Sequence, residues 1–382
     1  MTKKFIDEYS LAENRAKSKT SYFIKQIFVP ITFISSGTTH HVSTEDEYCT
    51  LIDMWMHEPE DITNNLLSGL TEEEFSLLKK IATKVWLITK NMNYQAAPKT
   101  GLLRQIYQRR LINNFFPDAN SILEVGPGSG YLSLLLGMDK KNVFSMDITQ
   151  CFYLWQNYLY ESFNLLNEFV TLEKIETKKD KINHLPWWKF IEHEKIFKKL
   201  DVITVNHALC EMGNHAVRHL LTVAHKSGYP KFFMESYGSF KYSHKRSDIE
   251  PLFREFGYKE TYNKNDVHIF EYDNQEVKFK RTNIINIIVY IPFFRTIIRY
   301  IYNEVTLLKS IANLFLSKLF SGLSKKKVIN KYNYDDVLKF YYELTGSKIY
   351  KTPCEEINDN VCTPKINGIK AKLAYAKFDE KF

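Results

Sequence analysis

Residues 122–132 read ILEVGPGSGYL, and no other stretch of the 382-residue chain restricts its fold as tightly. The apolar run at 121–125 has the length of a buried strand. It breaks into Gly126, Gly128 and Gly130 at alternate positions and passes at once into the apolar run YLSLLL. Glycines let a chain turn sharply from strand to helix and bring backbone amides against a ligand with no side chain between. A dinucleotide loop has the spacing G-x-G-x-x-G, which would need a glycine where this chain has Tyr131. The spacing here is instead E-x-G-x-G-x-G, led by Glu124. Asp147 then closes the next strand, in NVFSMDIT, where a carboxylate can accept hydrogen bonds from both hydroxyls of a ribose.

From residue 99 the hydrophobic pattern alternates between strand and helix. A helix over 102–113 stops near Pro117, and strands are predicted at 121–125, 143–146, 170–175, 200–205 and 231–234. A helix over 249–256 ends at Gly257, and YKETYNKNDVHIFEY forms a hairpin around Asn263, Lys264, Asn265 and Asp266. Apolar strands separated by helices predict an α/β fold with a parallel sheet covered on both faces. Upstream, Thr71 and Glu74 have capping-box spacing, and Phe75, Leu78, Ile81, Ala82 and Val85 follow at helical intervals. Residues 1–95 therefore read as a mostly helical lid. Within them 28–35 is either a short strand or a buried connector.

With 44% hydrophobic and 25% charged residues the chain has the balance of a soluble globular protein. The five cysteines show no close pair at metal or redox spacing, and the first twenty residues alternate charge without an apolar run. Both features suit a cytoplasmic setting. The longest uncharged apolar stretch, 283–294, is too short to span a bilayer as a helix. Net charge is +8, yet residues 274–330 alone hold ten Lys/Arg against two Glu, so this one segment carries the entire excess. The rest of the chain is balanced, which argues against a cleft that tracks nucleic acid. In the same segment Ile297, Ile301, Val305, Leu308, Ala312, Phe315 and Leu319 form one apolar helical stripe ending near Lys325, Lys326 and Lys327. Two uses of 283–327 stay open: peripheral docking on an anionic membrane, or packing on the core or on a second copy in a homo-oligomer. The plan is 1–95, a ligand-binding core over 96–273, and a basic, mostly helical region over 274–382.

The segments ILEVGPGSGYLSLLL and MDITQCFYLWQN, within residues 122–157, together with VNHALCEM at 205–212, resemble the sugar O-methyltransferase family of class I S-adenosylmethionine-dependent enzymes. The resemblance covers the core, at most about 280 residues with its flanking helix and hairpin. It implies a Rossmann-like, seven-stranded methyltransferase sheet, S-adenosyl-L-methionine as cofactor, and a small-molecule or glycan hydroxyl as acceptor. It also implies that Glu124 lies near the methionine portion of the cofactor. Gly126, Gly128, Gly130, Tyr131, Asp147 and Asn206 complete the expected cofactor set. Amino-group methylases that flip bases often carry Asn-Pro-Pro-aromatic after the fourth strand, whereas this chain has Asn206-His207-Ala208-Leu209.

Methyl transfer to a hydroxyl needs an aligned acceptor and somewhere for its proton to go. Ligands of open parallel sheets bind beyond the carboxyl ends of the strands, which places the segment from Asn206 to Glu211 at the site. His207 is the expected general base, with the alternative that it only caps the next helix. Glu211, four residues on, would orient it if a helix begins there. Glu235, after the fifth strand, and His244 are further candidates. Trp187 and Trp188 either stack on a ligand or belong to the core. His40 and His41 stand near Glu45 and Asp46 without recognised metal-ligand spacing, so no metal is expected.

Overall fold

The computed structural model describes residues 3–19, 48, 51–52, 59–92, 96–170, 176–192, 194–209, 212–236, 246–273, 332–346, 354–358, 361–366, 369–370 and 373–374. The regions expected at 28–35 and 283–327 lie outside them. At the centre is an eight-stranded mixed sheet. Its strands are β1 (Ser121–Val125), β2 (Asn142–Asp147), β3 (Leu166–Glu168), β4 (Ile182–Pro186), β5 (Val202–Thr204), β6 (Lys231–Glu235), β7 (Tyr258–Lys264) and β8 (Val267–Tyr272), in the order 3-4-2-1-5-6-8-7. The first six run parallel, and β8 and β7 close the sheet antiparallel. Chain direction across the sheet reverses at β1, which pairs with β2 on one side and β5 on the other. A crevice opens at such a reversal, beyond the carboxyl ends of the strands. This is a Rossmann-like α/β architecture.

The sheet departs from the expected seven strands at its left side. The third strand was expected at 170–175, but the neighbour of β2 is β4, with Val143 opposite Ile182 and Asp147 opposite Pro186, and β3 adds an eighth strand outside it. Of that expected strand only Val170 is described, and it is not extended. The sequence of β4 is INHLP, whose Asn183 and His184 look wrong for a buried strand. Side chains satisfy them: the Asn183 oxygen accepts from the Asn167 amide and the Lys178 backbone, both at 2.9 Å. Hydrogen bonding, which hydropathy does not register, makes this buried strand possible.

Helices join the strands as the pattern requires. α1 (Lys3–Lys19), α2 (Glu72–Asn91) and α3 (Thr100–Phe115) precede the sheet; α4 (Tyr131–Met138) links β1 to β2, and α5 (Gln150–Ser162) links β2 to β3. α6 (Trp187–Glu192) follows β4, α7 (Asn214–Lys226) links β5 to β6, and α8 (Arg246–Glu255) links β6 to β7. α2 starts in the expected capping box, with the Thr71 hydroxyl 3.2 Å from the Glu74 amide and the Glu74 carboxylate 2.9 Å from the Thr71 amide. Arg110 of α3 then clasps Glu74 and donates to the Gly69 carbonyl at 2.9 Å, fastening the start of α2 to the core. Ile122, Leu123 and Val125 of β1 are all buried, each contributing on the order of 2 kcal/mol. The β7–β8 turn is tighter than expected, reduced to Asn265 and Asp266 at φ +53° and +59°, values that Asn and Asp tolerate in a two-residue hairpin.

The C-terminal region is not all helical. α9 (Tyr334–Thr345) packs on α2, and Leu70 and Tyr332 exchange backbone hydrogen bonds of 2.8 and 3.1 Å. Beyond it β9 (Cys354–Asn358), β10 (Val361–Ile366), β11 (Ile369–Lys370) and β12 (Leu373–Ala374) make a small antiparallel sheet. Among the described residues no helix is long and apolar enough to cross a membrane.

Candidate functional site

The glycine loop leaves β1 still paired, since the Gly126 amide donates to the Met146 carbonyl at 2.9 Å. Gly126, Gly128 and Gly130 then take φ of +70°, +56° and +81°, a region costly for any residue with a Cβ. Two residues of α5 hold the loop from one side: the Trp155 indole donates to the Ser129 carbonyl at 3.1 Å and the Gln156 amide to the Gly128 carbonyl at 2.7 Å. The N-terminal segment crosses on another, where Ser129 and Tyr131 hydroxyls donate to the carbonyls of Leu51 and Ile52, each at 2.8 Å. Tyr131, grouped with the cofactor candidates, thus has protein main chain as its observed partner.

Both predicted acids are buried at the carboxyl ends of adjacent strands. Glu124 accepts from the Ser133 hydroxyl; burial pushes its carboxyl up to about 7 against that hydrogen bond, with Asp147 adding to the rise. Asp147 accepts from the Thr149 amide and hydroxyl at 3.0 and 3.1 Å and from Gln156 at 2.8 Å. Burial nevertheless pushes it up to about 6. The Ile148 backbone amide adds a further hydrogen bond, so the carboxylate is oriented by its own turn and by α5.

Across the crevice β5 ends in Asn206 and His207. Asn206 clasps two strand ends, donating to the Thr204 hydroxyl and accepting from the Glu235 amide, each at 2.8 Å. His207 adopts φ +57°, with its amide bound to the Ser236 carbonyl at 3.1 Å. Its Nε2 lies 3.5 Å from Oε2 of Glu235. Glu235 is only 2% exposed and is also gripped by Arg104 and by the Gln108 amide at 2.8 Å. Burial alone would raise its carboxyl; the His207 hydrogen bond and the Arg104 charge outweigh burial and hold it below the usual range. Glu235 therefore stands behind His207, not on a facing wall.

Other expectations resolve differently. Residues 206–208 form a turn, Leu209 follows in 3-10 conformation, and α7 starts at Asn214 behind Gly213. Glu211, expected to orient His207, lies outside the described residues, as do His244, His40 and His41. Trp187 and Trp188 are core, packed edge to face at 5.6 Å, with the Trp187 indole donating to Glu13 of α1 at 3.1 Å. Among the described residues no group of three or more His, Cys, Asp or Glu could hold a metal. Arg104, Gln108, Gln156 and His184 were not foreseen. They lie on helices or mid-strand without a motif, and only the fold brings them to the loop and Glu235.

No family model matches the chain, and no curated protein sequence does. Among solved structures it is similar to the magnesium protoporphyrin IX methyltransferase of Synechocystis with bound SAM, at 12% identity over 45% of this chain and 84% of that one, TM-score 0.31. It is also similar to the methyltransferase domain of a bacterial Hen1, at 14% identity over 44% and 99%, TM-score 0.33. A glycopeptide N-methyltransferase is similar at 9% identity over 43% and 93%, TM-score 0.32. The fold assignment rests on the strand order of this chain itself.

Proposed function

We propose that this chain is an S-adenosylmethionine-dependent O-methyltransferase whose acceptor is a hydroxyl of a sugar or glycan precursor. The observation that carries this reading is a convergence in one crevice. Glu124, the three left-handed glycines and Asp147 share the carboxyl ends of β1 and β2, while His207 follows β5 on the other side of β1.

The residues fit such a cofactor. A Cβ at Gly128 would meet nothing within 4 Å, so the loop has open space at its middle glycine. The hydroxyl of Tyr9, within reach of the charge of Asp147, is buried with no hydrogen-bond partner among the described residues. When bound, S-adenosylmethionine supplies a methyl group on a sulfonium, open to in-line attack by an oxygen lone pair. Asp147 would hold the ribose hydroxyls, and Glu124, near the methionine portion by resemblance, favours a cationic ligand. His207 accepts the hydroxyl proton as the oxygen attacks. Glu235, 3.5 Å from Nε2, stabilises the imidazolium that forms.

The sugar acceptor comes from the resemblance of residues 122–157 and 205–212. The reading is tested by calorimetry with S-adenosylhomocysteine, followed by methyl transfer from labelled S-adenosylmethionine to a panel of sugars, lipid-linked glycans, other small molecules and proteins. Binding with transfer to a sugar hydroxyl supports it. Transfer only to another class reassigns the acceptor, and binding without any transfer favours a non-catalytic scaffold.

A further inference from the structure

His184 occupies the middle of β4, fully buried, with Ser145 of β2 on one side and Glu168 of β3 on the other. Its ring lies flat on Tyr153, centroids 4.1 Å apart at 14°, and meets the edge of Tyr160 at 5.2 Å. Nε2 is 2.7 Å from Oε1 of Gln156, and Nδ1 is 2.6 Å from Oδ1 of Asn157. Gln156 in turn places its amide nitrogen 2.7 Å from the Gly128 carbonyl and 2.8 Å from Oδ2 of Asp147.

Donor accounting fixes the protons. The Gln156 NH2 has two hydrogens and two acceptors, so Oε1 needs a donor, and that donor is the Nε2–H of His184. Nδ1 is then an acceptor and requires the Asn157 amide nitrogen. The Asn157 amide, whose nitrogen has no other hydrogen-bond partner among the described residues, meets this need when turned by a half-turn. Burial holds His184 neutral, well below its usual range, in agreement with one proton on the ring. Turning the Gln156 amide over instead would set its oxygen against both the Gly128 carbonyl and the Asp147 carboxylate.

We propose that His184 is a positioning residue: by donating from Nε2 it locks the Gln156 amide, which holds the glycine loop and Asp147 in one fixed relation for an adenosyl ligand. The ligand class rests on the function proposed above; the lock rests on the geometry alone. A histidine that merely fills the core would need no particular tautomer and no donor.

The experiment compares S-adenosylhomocysteine affinity by calorimetry in the full chain, wild type against His184→Phe, His184→Gln and Asp147→Ala. Phenylalanine keeps the ring stack on Tyr153 and removes the donor; glutamine restores an N–H at similar reach. We expect Kd to rise about tenfold or more in His184→Phe and to return to within about threefold of wild type in His184→Gln. Wild-type affinity in His184→Phe, with Asp147→Ala weakened, overturns the lock and spares the function. A wild-type chain that binds no S-adenosylhomocysteine overturns the function instead. Nitrogen-15 histidine spectra of the wild-type protein decide the lock even if His184→Phe does not fold. They must show a proton on Nε2 of His184 at neutral pH, and a ring protonated on Nδ1 alone overturns it.

Discussion

Nε2 of His207 lies 3.5 Å from Oε2 of Glu235. Glu235 is the buried member, and its other contacts come from Arg104 and Gln108 on α3, a helix that precedes the sheet. A helix ahead of the core thus sets the position of the carboxylate behind the proposed base. His207→Ala should lower turnover by about 10²–10⁴-fold, the usual range for a general base, and leave S-adenosylhomocysteine affinity unchanged. Normal turnover in that variant would place the base elsewhere. Glu235→Gln should keep the Gln108 and His207 neighbours but remove the buried negative charge that Arg104 grips, so both turnover and thermal stability should fall.

Asp147 is held by Thr149 and Gln156 before any ligand arrives, and its carboxyl is pushed up to about 6 by burial. Ribose hydroxyls donate to the ionised form. Affinity for S-adenosylhomocysteine should therefore increase as pH rises through about 6 and level off above it. Asp147→Ala should weaken binding by roughly tenfold, and Asp147→Asn should lose the part of the pH dependence that belongs to this group. Calorimetry between pH 5 and 8 distinguishes these outcomes. Unchanged affinity in Asp147→Ala would remove Asp147 from the ligand site.

The residues that were legible in the sequence are those whose role is local. Strand β1, the alternate glycines, the capping box at Thr71 and the acid closing β2 each declare themselves within a few neighbours, and each is found where expected. Strand β4 was missed because Asn183 and His184 are polar, and their partners Asn167, Gln156 and Asn157 lie on other elements. The same limit hid Arg104 and Gln108, which reach Glu235 across more than a hundred residues of chain. Periodicity finds what a residue does within its own element. It carries no information on a hydrogen bond that the fold alone creates.

Glu124 should cost the protein stability at neutral pH. Burial raises its carboxyl from 4.5 to about 7 in the folded chain. Between those values the folded state keeps a proton that the unfolded state has released, so stability falls as pH rises through the window, by on the order of 3 kcal/mol. Glu124→Gln has no such proton to lose. Urea unfolding should show wild type losing more stability than the variant between pH 5 and 8, with the gap closing at the acid end. An equal slope in both proteins would mean that Glu124 is already ionised in the folded state. A cationic ligand near Glu124 favours its ionised form, so binding should release a proton near neutral pH, measurable as a buffer-dependent binding enthalpy.

Two glycines of the loop should respond differently to the same substitution. Gly128 and Gly130 both have left-handed backbone, at φ +56° and +81°, so alanine at either costs about 1 kcal/mol in conformation. Their surroundings differ. A Cβ at Gly130 would approach the Tyr160 hydroxyl to 2.8 Å and Cγ of Gln156 to 2.9 Å, whereas one at Gly128 meets nothing within 4 Å. Gly130→Ala must displace Gln156, the residue that joins the loop to Asp147, so it should lower both the melting temperature and ligand affinity. Gly128→Ala projects its methyl into the space assigned to the cofactor. It should weaken S-adenosylhomocysteine binding with only the small conformational loss of stability. If Gly128→Ala binds as well as wild type, the ligand does not lie over the middle of the loop, and the open space there has another explanation.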